Sequence, residues 1–307
     1  MIHLISVNDD NLTVAGYIPE GTIDTVIFDP PFESLYNGYN YKDFIGRRID
    51  AAVASMTSNG KFVSVNYDNA QSIVKDQLRE HDITPDWTCK IRRNNRGARR
   101  LKDGPDLVIK CFSKEESDNR NISFGDAHHK AGNNGISEGM PMREIEGILH
   151  SLNIDRSNIV LDMFGGSGAV ALAAYCYGAQ CITIEHLFNR YNDINDRLLK
   201  FTHIHPNYKC RVKTCNNQGT VHALCTNHNR MINYYKDRPM FIGEDRWSGH
   251  AIKTSKLTPL RDQINYARIF AMKADLENTL PERKEKMSEF IERLGYSSSS
   301  FQIYNEL

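Results

Sequence analysis

The chain has 307 residues, enough for one large domain and a smaller appendage. With 40% hydrophobic and 25% charged residues, and no apolar run near the ~18 residues of a membrane span, it is expected to be soluble and globular. Lys+Arg and Asp+Glu both number 38, so any polyanion must be held by local basic patches rather than by a globally basic chain. The seven cysteines are an odd set, which points to burial or metal binding rather than a disulfide framework. The opening MIHLISVNDDNL lacks a basic segment followed by an apolar one, so the expected location is cytoplasmic.

Taken in chain order, Leu4–Val7 reads as a strand ended by Asn8-Asp9-Asp10-Asn11. Thr25–Phe28 is a second strand, and it must stop at Asp29-Pro30-Pro31-Phe32, because proline cannot donate to a ladder and holds the residue before it extended. The pattern then predicts a helix over Tyr41–Met56, a strand over Lys61–Val65 after a turn at Asn59-Gly60, and a helix over Asn69–Glu80. Strands follow at Trp87–Ile91 and Leu107–Phe112, and residues 113–139 turn polar and Gly/Asn-rich, as in a flexible insertion. A helix over Pro141–Leu152, a strand over Asn158–Leu161, a helix over Ala169–Tyr177, a strand over Cys181–Ile184 and a helix to about Lys200 make up a βαβ arrangement. Beyond His203, Cys, His and Asn become frequent, and a charged tail with helical spacing runs to the serines at 297–300.

Two segments carry chemistry. In the loop Asp162-Met163-Phe164-Gly165-Gly166-Ser167-Gly168, a strand leads through glycines into a helix, which lets backbone approach a nucleotide-like cofactor. Glu185 ends the next strand, where a carboxylate can accept from both hydroxyls of a ribose. The spacing departs from the G-x-G-x-x-G fingerprint of dinucleotides, and Asp162 can hold an ammonium, which a dinucleotide lacks. At the other segment, Asp29 and the main-chain carbonyl of Pro30 can each accept one N–H of an amine. The prolines fix that geometry, and Phe32 offers a face for a stacked base. No Pro-Cys dipeptide occurs, so a covalent thiol route has no candidate.

DPPF followed much later by DMFGGSG resembles the DNA amino-methyltransferases of the N6-adenine and N4-cytosine type. The order of the two motifs is that of their circularly permuted β group. The resemblance covers residues 1–200. It implies a Rossmann-like α/β fold with a mostly parallel sheet, S-adenosylmethionine as methyl donor, and double-stranded DNA as substrate. Catalysis would fall to Asp29, Pro30, Pro31 and Phe32, and cofactor binding to Asp162, Phe164, Gly166, Gly168 and Glu185. Asp10-Asn11-Leu12 is similar to the family's Asp-Asn-Leu element, whose Asp contacts the cofactor adenine, and Tyr41-Lys42-Asp43-Phe44 to a further element. Met140 stands where the family has lysine and Met163 where it has proline. Asp-Pro-Pro in this family goes mostly with adenine N6, which sets the expected target. Cytosine N4, RNA, or a protein glutamine amide remain alternatives.

Two further segments read as nucleic-acid contacts. Between Lys90 and Lys102, seven cations in thirteen residues form a basic loop, with Arg92, Arg93, Arg96, Arg99 and Arg100 as candidate phosphate ligands. Cys210, Cys215, Cys225 and His228 form two close pairs of soft ligands, the pattern of a tetrahedral structural zinc. From Lys209 to Lys256, nine Lys/Arg stand against three acids, as suits an appended DNA clamp. The expected organisation is a catalytic domain at 1–202, with 113–139 as insertion or target-recognition segment. A zinc-binding DNA-contact element at 203–257 and a helical tail at 258–307 follow. The tail would either mediate a homodimer or cover the catalytic domain. The expected setting is a phage or a restriction–modification system. A non-catalytic or nuclease zinc protein is the contrasting class, but no second His-based metal site can be assembled for it.

Overall fold

The computed structural model describes residues 2–31, 40–91, 107–114, 120–121, 142–154, 157–177, 179–202 and 281–305. The first part runs β1 (Ile2–Asn8), α1 (Asn11–Ala15), β2 (Ile23–Phe28), α2 (Tyr41–Ser55), β3 (Met56–Tyr67), α3 (Asp68–Arg79), β4 (Thr84–Ile91) and β5 (Leu107–Ser113). It continues through β6 (Arg120–Asn121), α4 (Met142–Ser151), β7 (Ile159–Asp162), α5 (Ala169–Tyr177), β8 (Gln180–Ile184) and α6 (Phe188–Thr202), then α7 (Pro281–Gly295) and β9 (Ser300–Asn305).

Successive side chains of a strand point to opposite faces, and here both faces are apolar. Leu4, Ile27, Val63, Val160 and Cys181 bury themselves among α4, α5 and α6 on one side. Their neighbours Ile5, Val26, Phe28, Phe62, Leu161 and Ile182 do so among α1, α2, α3 and α7 on the other. Helices on both sides of one sheet follow from this pattern. Each of the aliphatic and phenylalanine side chains among these contributes about 1.5–3 kcal/mol on leaving water.

The sheet order is β6-β4-β5-β3-β2-β7-β8-β1-β9. Its five central strands β3, β2, β7, β8 and β1 are parallel, whereas β5 and β9 run against their neighbours. The expected mostly parallel sheet therefore holds for the centre only, and the whole is mixed. An antiparallel neighbour needs no crossover helix, so neither β9 at the edge nor β5 between β4 and β3 has to follow the parallel centre.

Three local expectations need correction. β3 begins at Met56 rather than after a turn at Asn59-Gly60, and those residues lie in a register irregularity of the ladder with β2. Within the polar 113–139 stretch, Ser113 ends β5, and Arg120–Asn121 pairs parallel with Trp87–Thr88. Finally, the wholly helical reading of the tail misses β9, which pairs antiparallel with β1 from Ile2↔Asn305 to Asn8↔Ser300. One of the serines ahead of this strand has a partner, Ser299 Oγ donating to Asp9 at 2.6 Å, and within the strand Tyr304 Oη donates to Asn195 Oδ1 at 2.8 Å. Met287, Phe290 and Leu294 of α7 are buried in the same core as β1 and β2, so this part of the tail covers the sheet. Lys286 pins it by donating to the Gly21 carbonyl at 2.6 Å.

Candidate active site

From β2 the chain crosses through α2 to β3 on one side, and from β7 it crosses through α5 to β8 on the other. β2 and β7 are neighbours, so the direction of winding reverses between them. In open α/β sheets, a crevice for ligands opens outside the carboxyl ends of strands at such a point. Both sequence motifs stand there.

The register fixes how close they come. Ile27 is opposite Asp162, and Met163 N donates to the Ile27 carbonyl at 3.3 Å. Two residues past Ile27 comes Asp29, and two past Asp162 comes Phe164. Phe28 and Phe164 meet edge to face with centroids 5.2 Å apart. Asp29 is half-buried, Pro30 buried and Pro31 exposed. Tyr41 Oη donates to the Pro31 carbonyl at 3.1 Å.

The glycine loop is shaped by its own backbone. Gly165 N donates to the Ile184 carbonyl and Gly168 N to the Gly165 carbonyl, both at 2.7 Å. A Cβ on Gly165 would lie 2.9 Å from Thr183 Oγ1, closer than such atoms approach, so a side chain there would displace the hydroxyl that Asp162 accepts from. Gly168 has φ +73°, in the left-handed region that other residues enter at a cost.

Two carboxylates face this loop. Glu185, nearly buried, accepts from Gly166 N through Oε2 and from Leu187 N through Oε1, both at 2.8 Å. Each oxygen retains a lone pair for a further donor. Asp162 is buried and accepts from Thr183 Oγ1 at 2.8 Å. Burial, with the charge of Glu185 adding to it, raises its pKa to about 7, against the lowering by Thr183 and the Phe164 backbone.

Asp10 caps α1, accepting from Leu12 N at 2.9 Å, and pairs with Arg48 at 2.7 Å. Its neighbour Asn11 donates to the Met163 carbonyl at 2.8 Å, tying the end of β1 to the glycine loop. Neither Arg48 nor this linking role of Asn11 is marked by any motif in the sequence. The one signal that could have found Arg48 was its spacing from Tyr41 and Phe44 along one helix face.

The structure thus brings Asp29, Pro30 and Pro31 together with Asp162, Phe164, Gly166, Gly168 and Glu185, with Asp10 at the margin. Phe32, the basic-loop residues Arg92, Arg93, Arg96, Arg99 and Arg100, and the metal candidates Cys210, Cys215, Cys225 and His228 lie outside the described residues. Among the described residues, no group of three or more His, Cys, Asp or Glu is placed to hold a metal. Cys89, Cys111 and Cys181 are buried as free thiols, as expected of core residues. Among the described residues, no helix is long and apolar enough to cross a membrane.

No family model and no curated protein matches the chain. Solved structures do resemble it. The M1.HpyAVI–SAM complex is 19% identical, with 63% of this chain and 99% of that one covered and a TM-score of 0.46. TTHA0409 of Thermus thermophilus, described as a candidate DNA modification methylase and complexed with S-adenosyl-L-methionine, is 14% identical, with 65% and 94% covered and a TM-score of 0.49. The PvuII DNA methyltransferase, cytosine-N4-specific, is 18% identical, with 64% and 93% covered and a TM-score of 0.48. At such identities and scores the likeness concerns the course of the chain, and function is read from the residues of the site.

Proposed function

We propose that the protein transfers a methyl group from S-adenosylmethionine to an exocyclic amine of DNA, adenine N6 being the target. The observation that carries this reading is the adjacency of the two motifs: the Asp29-Pro30-Pro31 turn and the glycine loop leave neighbouring parallel strands whose crossovers run in opposite directions along the sheet. The donor set suits the cofactor. Asp162 is a buried carboxyl whose ionised form is disfavoured, and the ammonium of a methionine moiety beside it would restore that form. Glu185 keeps acceptor capacity for ribose hydroxyls, and at Gly166 a Cβ would meet nothing nearer than 3.6 Å, so the backbone there is open to close approach. When bound, S-adenosylmethionine supplies a methyl already activated by a sulfonium.

The chain's part in the reaction is positional and electrostatic. An aromatic amine is a weak nucleophile because its lone pair is delocalised into the ring. Asp29 and the Pro30 carbonyl each accept one N–H, which draws the nitrogen toward tetrahedral geometry and frees the lone pair. The base must leave the duplex stack to reach this crevice, and Phe32 is assigned as its stacking partner. Arg92, Arg93, Arg96, Arg99 and Arg100 are assigned to phosphates, so binding weakens steeply with salt. Cys210, Cys215, Cys225 and His228 are assigned to one structural zinc, and elemental analysis of purified protein finding none removes that assignment.

The deciding experiment incubates purified protein with duplex DNA of mixed sequence and S-adenosylmethionine carrying a deuterated methyl, followed by mass spectrometry of the nucleosides. Labelled N6-methyldeoxyadenosine is the expected product. Labelled N4-methyldeoxycytidine would keep the chemistry and change the base. No labelled nucleoside, with RNA and protein equally blank, would end the reading.

A further inference from the structure

One face of α2 touches all three loops that frame the crevice. Tyr41, Phe44 and Arg48 follow one another at i, i+3 and i+7, so they stand on the same side of the helix. Tyr41 is buried, and its hydroxyl holds the Pro31 carbonyl of the turn after β2 at 3.1 Å. Asn66, near the end of β3, donates to that hydroxyl at 3.4 Å. A hydroxyl has one proton, and with Asn66 supplying its own, the Tyr41 proton goes to Pro31. The Phe44 ring stacks on Tyr41 and lies 6.4 Å from Phe164 of the glycine loop after β7. The Arg48 guanidinium sits 3.7 Å from the centre of the Phe44 ring. Its Nε donates to Asn11 Oδ1 at 2.6 Å and its Nη2 to Asp10 Oδ2 at 2.7 Å, both just past the end of β1. Asn11 passes the connection to the Met163 carbonyl in the glycine loop at 2.8 Å.

We infer that this face of α2 is a bracket that sets the amine-holding turn against the donor-holding loop, with Tyr41 and Arg48 as its positioning residues. The inference rests on the methyl-transfer reading and deepens it. Tyr41 acts on the turn through Pro31, and so governs how well the amine is presented. Arg48 acts through Asp10, Asn11 and Phe44 on the loops around the donor, and so governs how well the donor is held. Neither residue touches a reacting atom. Plain helix packing would make no such division: the ring of Tyr41 and the stem of Arg48 would matter, and the hydroxyl and the guanidinium fork would not.

The test is steady-state kinetics of the full-length protein on duplex DNA, with thermal midpoints measured for every variant. Tyr41→Phe keeps the ring and is expected to lower kcat about tenfold, the worth of one well-placed hydrogen bond, with the donor KM within about twofold. Asn66→Leu is expected to give a smaller loss of the same kind. Arg48→Met is expected to raise the donor KM about tenfold with a smaller effect on kcat. Arg48→Lys, which can keep the pair with Asp10 but not the fork to Asn11, should fall between Met and wild type. Wild-type kcat in Tyr41→Phe overturns the inference, as do kcat and KM that move together in proportion to lost thermal stability. An active wild type with an unaffected Tyr41→Phe removes the bracket alone. A wild type that neither binds the donor nor methylates DNA removes the methyl-transfer reading, and the bracket with it.

Discussion

The glycine loop after β7 carries its own scaffolding, whereas the turn after β2 borrows most of its support from elsewhere in the chain. In the loop, left-handed φ at glycines makes the bend and backbone carbonyls meet Gly165 N and Gly168 N, while side chains of Glu185 and Asn11 meet Gly166 N and the Met163 carbonyl. In the turn, two prolines remove two donors, and the Pro31 carbonyl is met by a side chain ten residues on. A loop bent by its own glycines is largely written into its own few residues. A turn held by side chains depends on a helix whose sequence announces nothing. The two regions should therefore fail differently: damage to the loop should appear in donor affinity and stability, and damage to the turn in turnover.

The largest expected effect is at Asp29. Removing a preorganised polar group that acts only as the reaction proceeds typically costs about 10²–10³ in turnover. Asp29→Ala is accordingly expected to lose methyl transfer by that factor while the thermal midpoint and the donor affinity by calorimetry stay near wild type. A donor affinity that collapses together with turnover would mean that the two regions act as one unit.

A smaller effect, of the opposite kind, is expected at Glu185. Glu185→Ala removes the partner of the Gly166 and Leu187 amides at once, and because both are only partly buried the stability lost is at the low end, about 1 kcal/mol. Donor affinity should fall at least tenfold, with a lowered thermal midpoint in the absence of ligand. Unchanged affinity would show that the carboxylate serves the loop only.

How far these regions could be read from sequence follows the same division. The central strands were legible because both their faces are buried, which leaves continuous runs such as Val26-Ile27-Phe28. α5, from Ala169 to Tyr177, was placed to the residue, because the glycine loop marks its start. β9 was not legible. Its alternation Phe301-Gln302-Ile303-Tyr304 is short, follows four serines, and gains its meaning only from the exposed edge of β1 far away in the chain. Arg48 was equally hidden, because a lone arginine in a helix reads as a solvated charge until Asn11 and Asp10 are brought beneath it. The pair of site carboxylates was found, but not the protonation of Asp162, which is set by burial that no motif records.

The folded-state pKa of Asp162 stands at about 7, above the ordinary 3.8. Between these values the folded protein keeps a proton that the unfolded chain has released, so stability contributed by this group falls as pH rises and levels off above about 7. Each unit of the shift is worth about 1.4 kcal/mol. Asp162→Asn keeps the shape and the neutral state at every pH, so its thermal midpoint should hold up from pH 5 to pH 8 while that of wild type declines relative to it. The difference between the two proteins isolates this one group from all other titrations. Saturating S-adenosylmethionine should then flatten the wild-type decline, because an ammonium beside Asp162 favours the ionised carboxylate that burial disfavours. A decline that persists at full occupancy would place the ammonium elsewhere, and would leave Asp162 as a buried acid that serves the loop's own fold through Thr183.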